Sequence, residues 1–255
     1  MNLRETIAEA IQREVARAET TTRYRRPLIS FADAADPRFA ELRQLAGPAH
    51  MTPDELLPGA RAVVSFFLPF APEVLEANGR HREKVAREWA LAYVETNALI
   101  NHITGSLIEF LAARGIRAAA EPATHNFDPE TLESGWSHKS VAVIAGLGSF
   151  GLHQMVITDA GCGGRFGSLA LDAGLDLEAA SGVRERCLYY HDGSCLECVV
   201  RCPAGALSED EPLDKQRCHA HLHAVARTYQ DLGLVDVCGK CATGPCALAS
   251  AVEYD

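Results

Sequence analysis

The sequence predicts an α+β protein with two parts, a mixed α/β domain over residues 1–180 and a small cysteine-rich domain over residues 181–255. Two observations predict this division. Apolar patterns typical of helices and of strands alternate along the first part, whereas eight of the nine cysteines lie between Cys187 and Cys246. We expect the two parts to join at residues 176–183.

The first part contains several helix and strand patterns. An apolar residue recurs at every fourth position between Leu3 and Val15, which predicts an amphipathic helix at 3–18. Five prolines between residues 27 and 58 predict a loop-rich stretch. We also expect a long helix at 83–113 and strands at 61–68, 116–120, 154–158 and 165–172.

The spacing of the cysteines indicates iron–sulfur chemistry. Cys195-x2-Cys198-x3-Cys202-Pro203 matches the second half of the bacterial ferredoxin motif, and Cys238-x2-Cys241-x4-Cys246 is a looser copy. Because the proline cannot continue the hydrogen bonding of the loop, it turns the chain away, and residues 204–207 are expected to lead into a short strand. Eight thiolates are the number that two [4Fe–4S] clusters require.

The ligand set follows from the rule that the cysteine before proline crosses over to the other cluster. One cluster is then expected to bind Cys187, Cys195, Cys198 and Cys246, and the other to bind Cys202, Cys218, Cys238 and Cys241. The ferredoxin motif would have a cysteine at position 192, which is Asp192 here. Cys187 completes the count of eight, but Asp192 as an oxygen ligand and an incomplete cluster stay open. Two all-cysteine zinc sites are the alternative metal assignment.

Composition and charge argue against some classes of function. Hydrophobic residues make up 47% and charged residues 23% of the chain, and the formal net charge is −10. Between Cys187 and Asp255, five basic side chains face ten acidic ones, which suits docking to a basic redox partner and argues against a nucleic-acid partner. No apolar run approaches the ~18–20 residues that span a membrane. We therefore expect a cytoplasmic protein without a membrane partner.

A glycine motif, Gly146-x-Gly148-x-x-Gly151, matches the dinucleotide-binding fingerprint as text. That fingerprint must follow the first strand of a βαβ unit and open a helix. Here it comes late in the domain and precedes a strand-like segment. A Rossmann nucleotide site is therefore disfavoured.

Combined with the cysteines, the stretch from Trp136 onward resembles the epoxyqueuosine reductase and reductive dehalogenase superfamily. The resemblance is carried by Ala145-Gly146-Leu147-Gly148, by Gly151, Thr158, Gly161, Arg165-Phe166 and Leu171-Asp172-Ala173, and by the isolated Cys218. It implies a nitroreductase-like domain that binds a corrinoid, such as cobalamin, followed by a ferredoxin-like domain with two [4Fe–4S] clusters. It also implies cofactor binding by Gly146, Gly148, Gly151 and Arg165. Since nitroreductase-like folds often pair, a homodimer is expected.

Two departures from that family bear on the substrate. No acidic residue in the segment FDPETLESGWSHKS aligns with the one that epoxyqueuosine reductases carry there, and the net charge is acidic. We therefore expect a small-molecule substrate or a redox partner protein rather than tRNA. The resulting hypothesis is an iron–sulfur reductase that passes single electrons through its clusters to a corrinoid. The alternative is a ferredoxin-type electron carrier without corrinoid or substrate chemistry.

Further candidate residues lie near the glycine motif and in the cysteine-rich part. His138 and Lys139 are candidate catalytic residues, as proton donor and charge partner, although such a pair is more often a solvated helix end. Cys162 is a candidate cobalt ligand or nucleophile, although a plain turn residue is favoured. His219 and His223 would share a helix face that zinc can use, but we interpret them as groups near a cluster.

Overall fold

The structure is a computed structural model that describes residues 2–177 and 184–254. Its helices are α1 (Leu3–Arg17), α2 (Arg38–Leu45), α3 (Pro53–Leu56), α4 (Pro72–Gly79), α5 (Arg87–Ala112), α6 (His138–Ile144), α7 (Leu188–Asp192), α8 (Glu197–Arg201) and α9 (Lys215–Thr228). Its strands are β1 (Leu28–Asp33), β2 (Ala62–Pro69), β3 (Ala118–Ala119), β4 (Gly148–Phe150), β5 (Val156–Thr158) and β6 (Gly164–Leu171). The domain boundary expected at 176–183 lies mostly outside the described residues.

A four-stranded antiparallel sheet, in the order β1-β2-β6-β3, organises the first part. Strand β2 is buried along its whole length, since it lies between two neighbours and both of its faces are covered. Such a strand can be apolar on both faces, which is why residues 62–69 are apolar apart from Ser65 and do not alternate with polar ones. Strands β4 and β5 form a separate antiparallel hairpin.

Helices cover both faces of the sheet. Alternate β2 side chains, such as Val64 and Phe66, pack against Ile7 of α1 and Ile103 of α5. On the opposite face, residues from β2 and β6 pack with α2, α6 and the buried Trp136. The amphipathic stripe of α1 and the apolar face of α5 are thus buried on one side of the sheet.

The cysteine-rich part packs against α4, the first turns of α5 and the loop before β6. Val225 of α9 and Val235 lie in one apolar cluster with Trp89, Leu75 and Cys162 of the first part. This shared cluster places the cysteine loops directly beside the end of the sheet.

The structure confirms a mixed α/β architecture and most of the expected elements. The long helix is shorter than expected, from Arg87 to Ala112, and the strand at 116–120 is reduced to Ala118–Ala119. The prediction of a loop-rich stretch at 27–58 was wrong in part, because these residues include β1 and the short helices α2 and α3. Residues 204–207 form a turn and extended chain and not a strand.

Within the described residues, no helix has the length and apolar character that crossing a membrane requires.

Candidate metal centre and active site

The eight cysteines of the motif line two adjoining cavities. Cys187, Cys195, Cys198 and Cys246 line a small cavity beneath α7 and α8. Cys202, Cys218, Cys238 and Cys241 line a larger cavity between the two parts of the chain. Cys241 and His153 border both cavities. Because Cys241 lines both cavities, the two ligand sets expected from the crossover rule stay a prediction.

The local chain conformation explains how the loops present their thiols. Cys198 lies in the single turn of α8, which ends at Cys202 because Pro203 follows. The chain then turns through Gly205, whose φ is +58°, and the backbone amide of Ala206 donates a hydrogen bond to Cys202 Sγ at 3.3 Å. A backbone amide directed at a sulfur stabilises its thiolate form, which is the form that binds metal.

Burial makes these thiols hard to ionise without a metal. Burial and the neighbouring cysteines raise the pKa of Cys198 to about 12, and burial is also the main cause that raises the pKa of Cys238 to about 11. A group of four thiolates in such a site therefore needs a cation to offset both desolvation and mutual repulsion. Each cavity is lined by five cysteines, because Cys241 borders both and Cys162 also lines the larger one. Each cavity therefore offers the four thiolates that suit a [4Fe–4S] cluster or zinc.

Cys187 and Asp192, the two candidates for the ligand that precedes Cys195, differ in their positions. Cys187 is half-buried and lines the small cavity. Asp192 is exposed, does not line that cavity, and accepts a hydrogen bond from the amide of Ser194 at 2.9 Å. This arrangement favours Cys187.

A third group joins the two parts, and one of its members, His153, was missed in the sequence analysis. His153 Nε2 lies 3.3 Å from Cys246 Sγ, and Cys162 Sγ lies 3.8 Å from the same sulfur. The amide of Met155 donates to His153 Nδ1 at 3.1 Å, so the neutral ring carries its proton on Nε2 and donates to Cys246. The hydrogen bonds of Cys246 with Cys162 and with His153 lower the pKa of Cys246. The hydrogen bond with Cys246 raises the pKa of Cys162. Cys162 is thus buried beside a candidate ligand and is not an open turn residue.

The larger cavity encloses about 350 Å³, and polar groups from the first part also line its wall. The hydroxyl of Tyr93, on α5, donates to Asp236 Oδ1 at 2.5 Å. Burial raises the pKa of Tyr93 to about 12. The phenol therefore stays protonated at neutral pH and can act as a hydrogen-bond or proton donor.

Arg165 lies on the same wall, at the start of β6. Its guanidinium carbon is 4.5 Å from the centroid of the Tyr93 ring, and its Nε is buried without a hydrogen-bond partner among the residues that the structure describes. An unpaired buried donor of a charged group is costly. Its position in the cavity wall favours an acceptor atom of a bound ligand as its partner, and the cofactor-binding role expected for Arg165 stays a prediction.

The two candidate catalytic residues differ in their environment. Lys139 lines the cavity, where its Nζ donates to the carbonyl of Gln154 at 2.8 Å. His138 is buried, and its ring nitrogens contact Ser168 Oγ at 2.7 Å and the carbonyl of Pro122 at 3.1 Å. Burial lowers the pKa of His138 to about 4. With both nitrogens engaged, His138 is better suited to holding α6 against β6 than to donating protons.

Other predicted groups lie at varying distances from the cavity. Gly146, Gly148 and Gly151 do not line it; they shape the turn after α6 and the β4–β5 hairpin. His219 and His221, on α9, line the cavity next to Cys218. His223 stacks edge-on against His219, with ring centroids 4.3 Å apart.

No protein-family model matches the chain. Among curated proteins, the chain is 29% identical to the epoxyqueuosine reductase of Salmonella typhimurium over 177 residues, which cover 69% of this chain and 43% of that protein. The chain thus spans less than half the length of the first curated relatives it matches.

Solved structures share the fold. An epoxyqueuosine reductase solved with a tRNA-Tyr epoxyqueuosine-modified stem loop superposes with a TM-score of 0.58, at 19% identity, over 95% of this chain and 66% of that one. A reductive dehalogenase, described in connection with B12-dependent dehalogenation, gives a TM-score of 0.54 at 14% identity, over 88% of this chain and 30% of that one. These comparisons confirm the resemblance expected from the motif at 145–173.

They also correct one expectation. We expected the acidic net charge and the missing acidic residue to argue against tRNA as a partner. That expectation is wrong, because an epoxyqueuosine reductase with this fold was solved with a tRNA stem loop. Net charge sums over the whole surface and does not exclude a local site for a polyanion.

Proposed function

We propose that the chain is an iron–sulfur reductase with a nitroreductase-like first domain and a ferredoxin-like second domain. The observation that carries the proposal is the large cavity, which is lined by Cys202, Cys218, Cys238 and Cys241 and also by Tyr93, Lys139 and Arg165. Each group of four cysteines would hold one [4Fe–4S] cluster. When bound, such clusters supply electrons one at a time at low potential.

The polar wall has the groups that a reduction needs. Arg165 Nε is free to bind an oxygen or other acceptor of the substrate and to stabilise the negative charge that grows there during reduction. Tyr93 can deliver a proton, and Asp236, its hydrogen-bond acceptor, orients the phenol. Trp89, Phe127 and Met155 supply the apolar part of the wall and restrict water.

The size of the large cavity bears on whether a corrinoid can bind there. Pockets that hold drug-sized ligands measure about 300–1,000 Å³, and a complete corrinoid is larger than such a ligand. The cavity of about 350 Å³ does not enclose one. We therefore derive no step through cobalt, and we propose that the acceptor of the electrons is the substrate itself.

For the substrate, we propose an epoxide-bearing nucleoside carried on tRNA. The names of the curated relatives and the stem-loop complex support this choice. Reduction of an epoxide to an alkene takes up two electrons and two protons and releases water. Two clusters that each transfer one electron would supply the two electrons, and the proton donors of the cavity would supply the protons.

The test begins with metal analysis of protein made and purified without oxygen in cells supplied with a corrinoid. About eight irons per chain and no cobalt are expected, four for each cysteine group. Zinc in place of iron would overturn the cluster assignment. Near-equimolar cobalt would overturn the direct transfer to substrate and restore a corrinoid as the acceptor.

Turnover is then measured with an epoxyqueuosine-modified tRNA stem loop and a chemical reductant. Wild-type protein is expected to convert the nucleoside, as followed by mass spectrometry. Arg165→Gln should keep its iron but lose most of its activity, since it loses the charge that binds the growing anion. Full iron without turnover of this stem loop would refute the substrate, and unchanged activity of Arg165→Gln would refute the role of the cavity.

A further inference from the structure

Lys240 lies between Cys238 and Cys241 in the loop that borders the large cavity, and its side chain is buried. The residue is only 2% exposed. Its Nζ donates three hydrogen bonds, to the carbonyl of Asn78 at 2.5 Å, to Asn78 Oδ1 at 3.0 Å and to the carbonyl of Lys84 at 2.6 Å. Three donated bonds to three oxygen acceptors require the protonated ammonium. The chain thus carries a buried positive charge next to two candidate ligands.

This charge has no carboxylate partner. Among the residues that the structure describes, no Asp or Glu oxygen lies within 4.0 Å of Lys240 Nζ. The acceptors are neutral oxygens, although the Asn78 carbonyl belongs to the last turn of α4 and so carries part of the negative end of the helix dipole. Such groups satisfy the hydrogen bonds of an ammonium without neutralising its charge. Burying an unpaired charge is unfavourable, so a compensating anion is expected nearby.

Hydrogen bonds connect the side chain of Lys240 with the backbone of Cys238. Asn78, fully buried, accepts from Lys240 at Oδ1 and donates from Nδ2 to the carbonyl of Cys238 at 2.9 Å. The ammonium, the Asn78 amide and the Cys238 backbone therefore form one connected set of hydrogen bonds. Four thiolates around a [4Fe–4S] core leave a net negative charge, and reduction adds one more.

We propose that Lys240 is the buried counter-charge of the cluster site formed by Cys202, Cys218, Cys238 and Cys241, and that it raises the reduction potential of that site. The inference rests on the proposed function, because it needs a cluster there. A fixed positive charge stabilises the reduced, more negative form more than the oxidised form, and burial weakens the screening of that effect. The site beside the substrate cavity would then accept electrons more readily than the site formed by Cys187, Cys195, Cys198 and Cys246.

Other positive charges lie in the same region. Lys139 and Arg165 also line the large cavity, but neither belongs to the hydrogen-bonded set that joins Lys240 to the Cys238 backbone. Lys215, at the start of α9, is exposed in the same part of the chain. Solvent screens such a charge, so Lys215 is a matched control for the removal of a lysine.

The experiment is a redox titration of iron-loaded protein, followed by electron paramagnetic resonance, for wild type, Lys240→Met, Lys240→Arg and Lys215→Met. Lys240→Met is expected to keep its iron and to lower the midpoint potential of one of the two reduction steps. That step is identified as the one whose signal changes in a Cys218→Ser variant. Lys240→Arg and Lys215→Met should leave both potentials close to wild type.

Lys240 has a competing role as a purely structural cap on the last turn of α4. In that case Lys240→Met would lower the unfolding temperature but leave both potentials unchanged, which would overturn the proposal. If Lys240→Met loses its iron, Asn78→Asp provides the second test, because it sets a carboxylate beside the retained ammonium. The same drop in potential is expected for it, and an unchanged potential would overturn the proposal. Wild-type protein without iron would instead overturn the proposed function.

Discussion

Gly239 occupies the tightest contact between the cysteine loops and the first domain. Its backbone is left-handed, with φ +66° and ψ 8°, and a Cβ at this position would lie 2.1 Å from Trp89 Cζ2 and 2.4 Å from Trp89 Nε1. Trp89 is 5% exposed and packs edge-on against Phe70, with ring centroids 5.4 Å apart. The indole cannot move aside without disturbing the wall of the large cavity. Gly239→Ala should therefore shift the Cys238–Cys241 loop.

Gly193 provides the matched control for the size of this effect. It has nearly the same conformation, φ 77° and ψ 5°, but a Cβ there would meet no atom within 4 Å. A left-handed alanine costs about 1–2 kcal/mol at either position. Overpacking adds about 1–3 kcal/mol at Gly239 alone. We expect Gly239→Ala to unfold roughly 2–12 °C below Gly193→Ala, since each kcal/mol shifts the midpoint by about 2–4 °C in a chain of this size.

The assay is thermal unfolding of anaerobic, iron-loaded protein, followed by circular dichroism and by the visible absorbance of the clusters. Loss of the visible absorbance at a lower temperature is expected for Gly239→Ala, because the moved loop carries two candidate ligands. Equal midpoints for the two alanine variants, with equal iron content, would refute the close contact between Gly239 and Trp89.

Three further predictions concern the ligands and the titratable groups. Cys187→Ser should lose iron and alter the spectrum of one cluster, whereas Asp192→Ala should keep about eight irons; the reverse result would make Asp192 the ligand. Because burial lowers the pKa of His138 from 6.5 to about 4, its contribution to stability is complete above pH 6.5 and is lost as the pH falls toward 4. Wild type should thus lose about 2 kcal/mol more than His138→Gln between pH 7.5 and pH 5, and equal losses would contradict this. Tyr93→Phe should lower kcat about 10²–10⁴-fold with unchanged iron, and full activity would exclude Tyr93 as a proton donor.

The elements that were predictable are those whose signal is local. Strand β2 is apolar apart from Ser65 and α5 carries a long apolar periodicity, so both were found within a few residues of their bounds. Strand β1 was missed because it is an edge strand that is mostly half-buried, with Ser30 and Asp33 among its six residues. Its conformation depends on pairing with β2, which lies more than 30 positions later in the chain.

The candidate site also contains residues that were predictable from the sequence and residues that were not. That the motif cysteines come together was predictable because ferredoxin spacing has a known geometry, while their division into two ligand sets stays a prediction. Tyr93, His153 and Asp236 were missed because they are far apart in the sequence and none belongs to a motif. Only the packing of α5 against the cysteine-rich part brings Tyr93 within hydrogen-bonding distance of Asp236, 143 positions away. No local pattern carries such information.

The turn at Gly161–Gly164 explains why the cavity must lie where the two parts meet. The amides of Cys162 and Gly163 donate to the carbonyls of Cys246 and Ala247 at 2.9 Å and 3.0 Å, so the turn pairs with the last cysteine of the motif. A Cβ on Gly161, whose φ is +76°, would lie 2.3 Å from the Ala247 carbonyl oxygen. The close approach therefore needs glycine there. Strand β6 starts directly after this turn and carries Arg165, so the pairing that holds Cys246 also positions the guanidinium in the cavity that the other cysteine group lines. Under the proposed function, the pairing at this turn would set the distance between the cysteines that supply electrons and the arginine that binds the substrate.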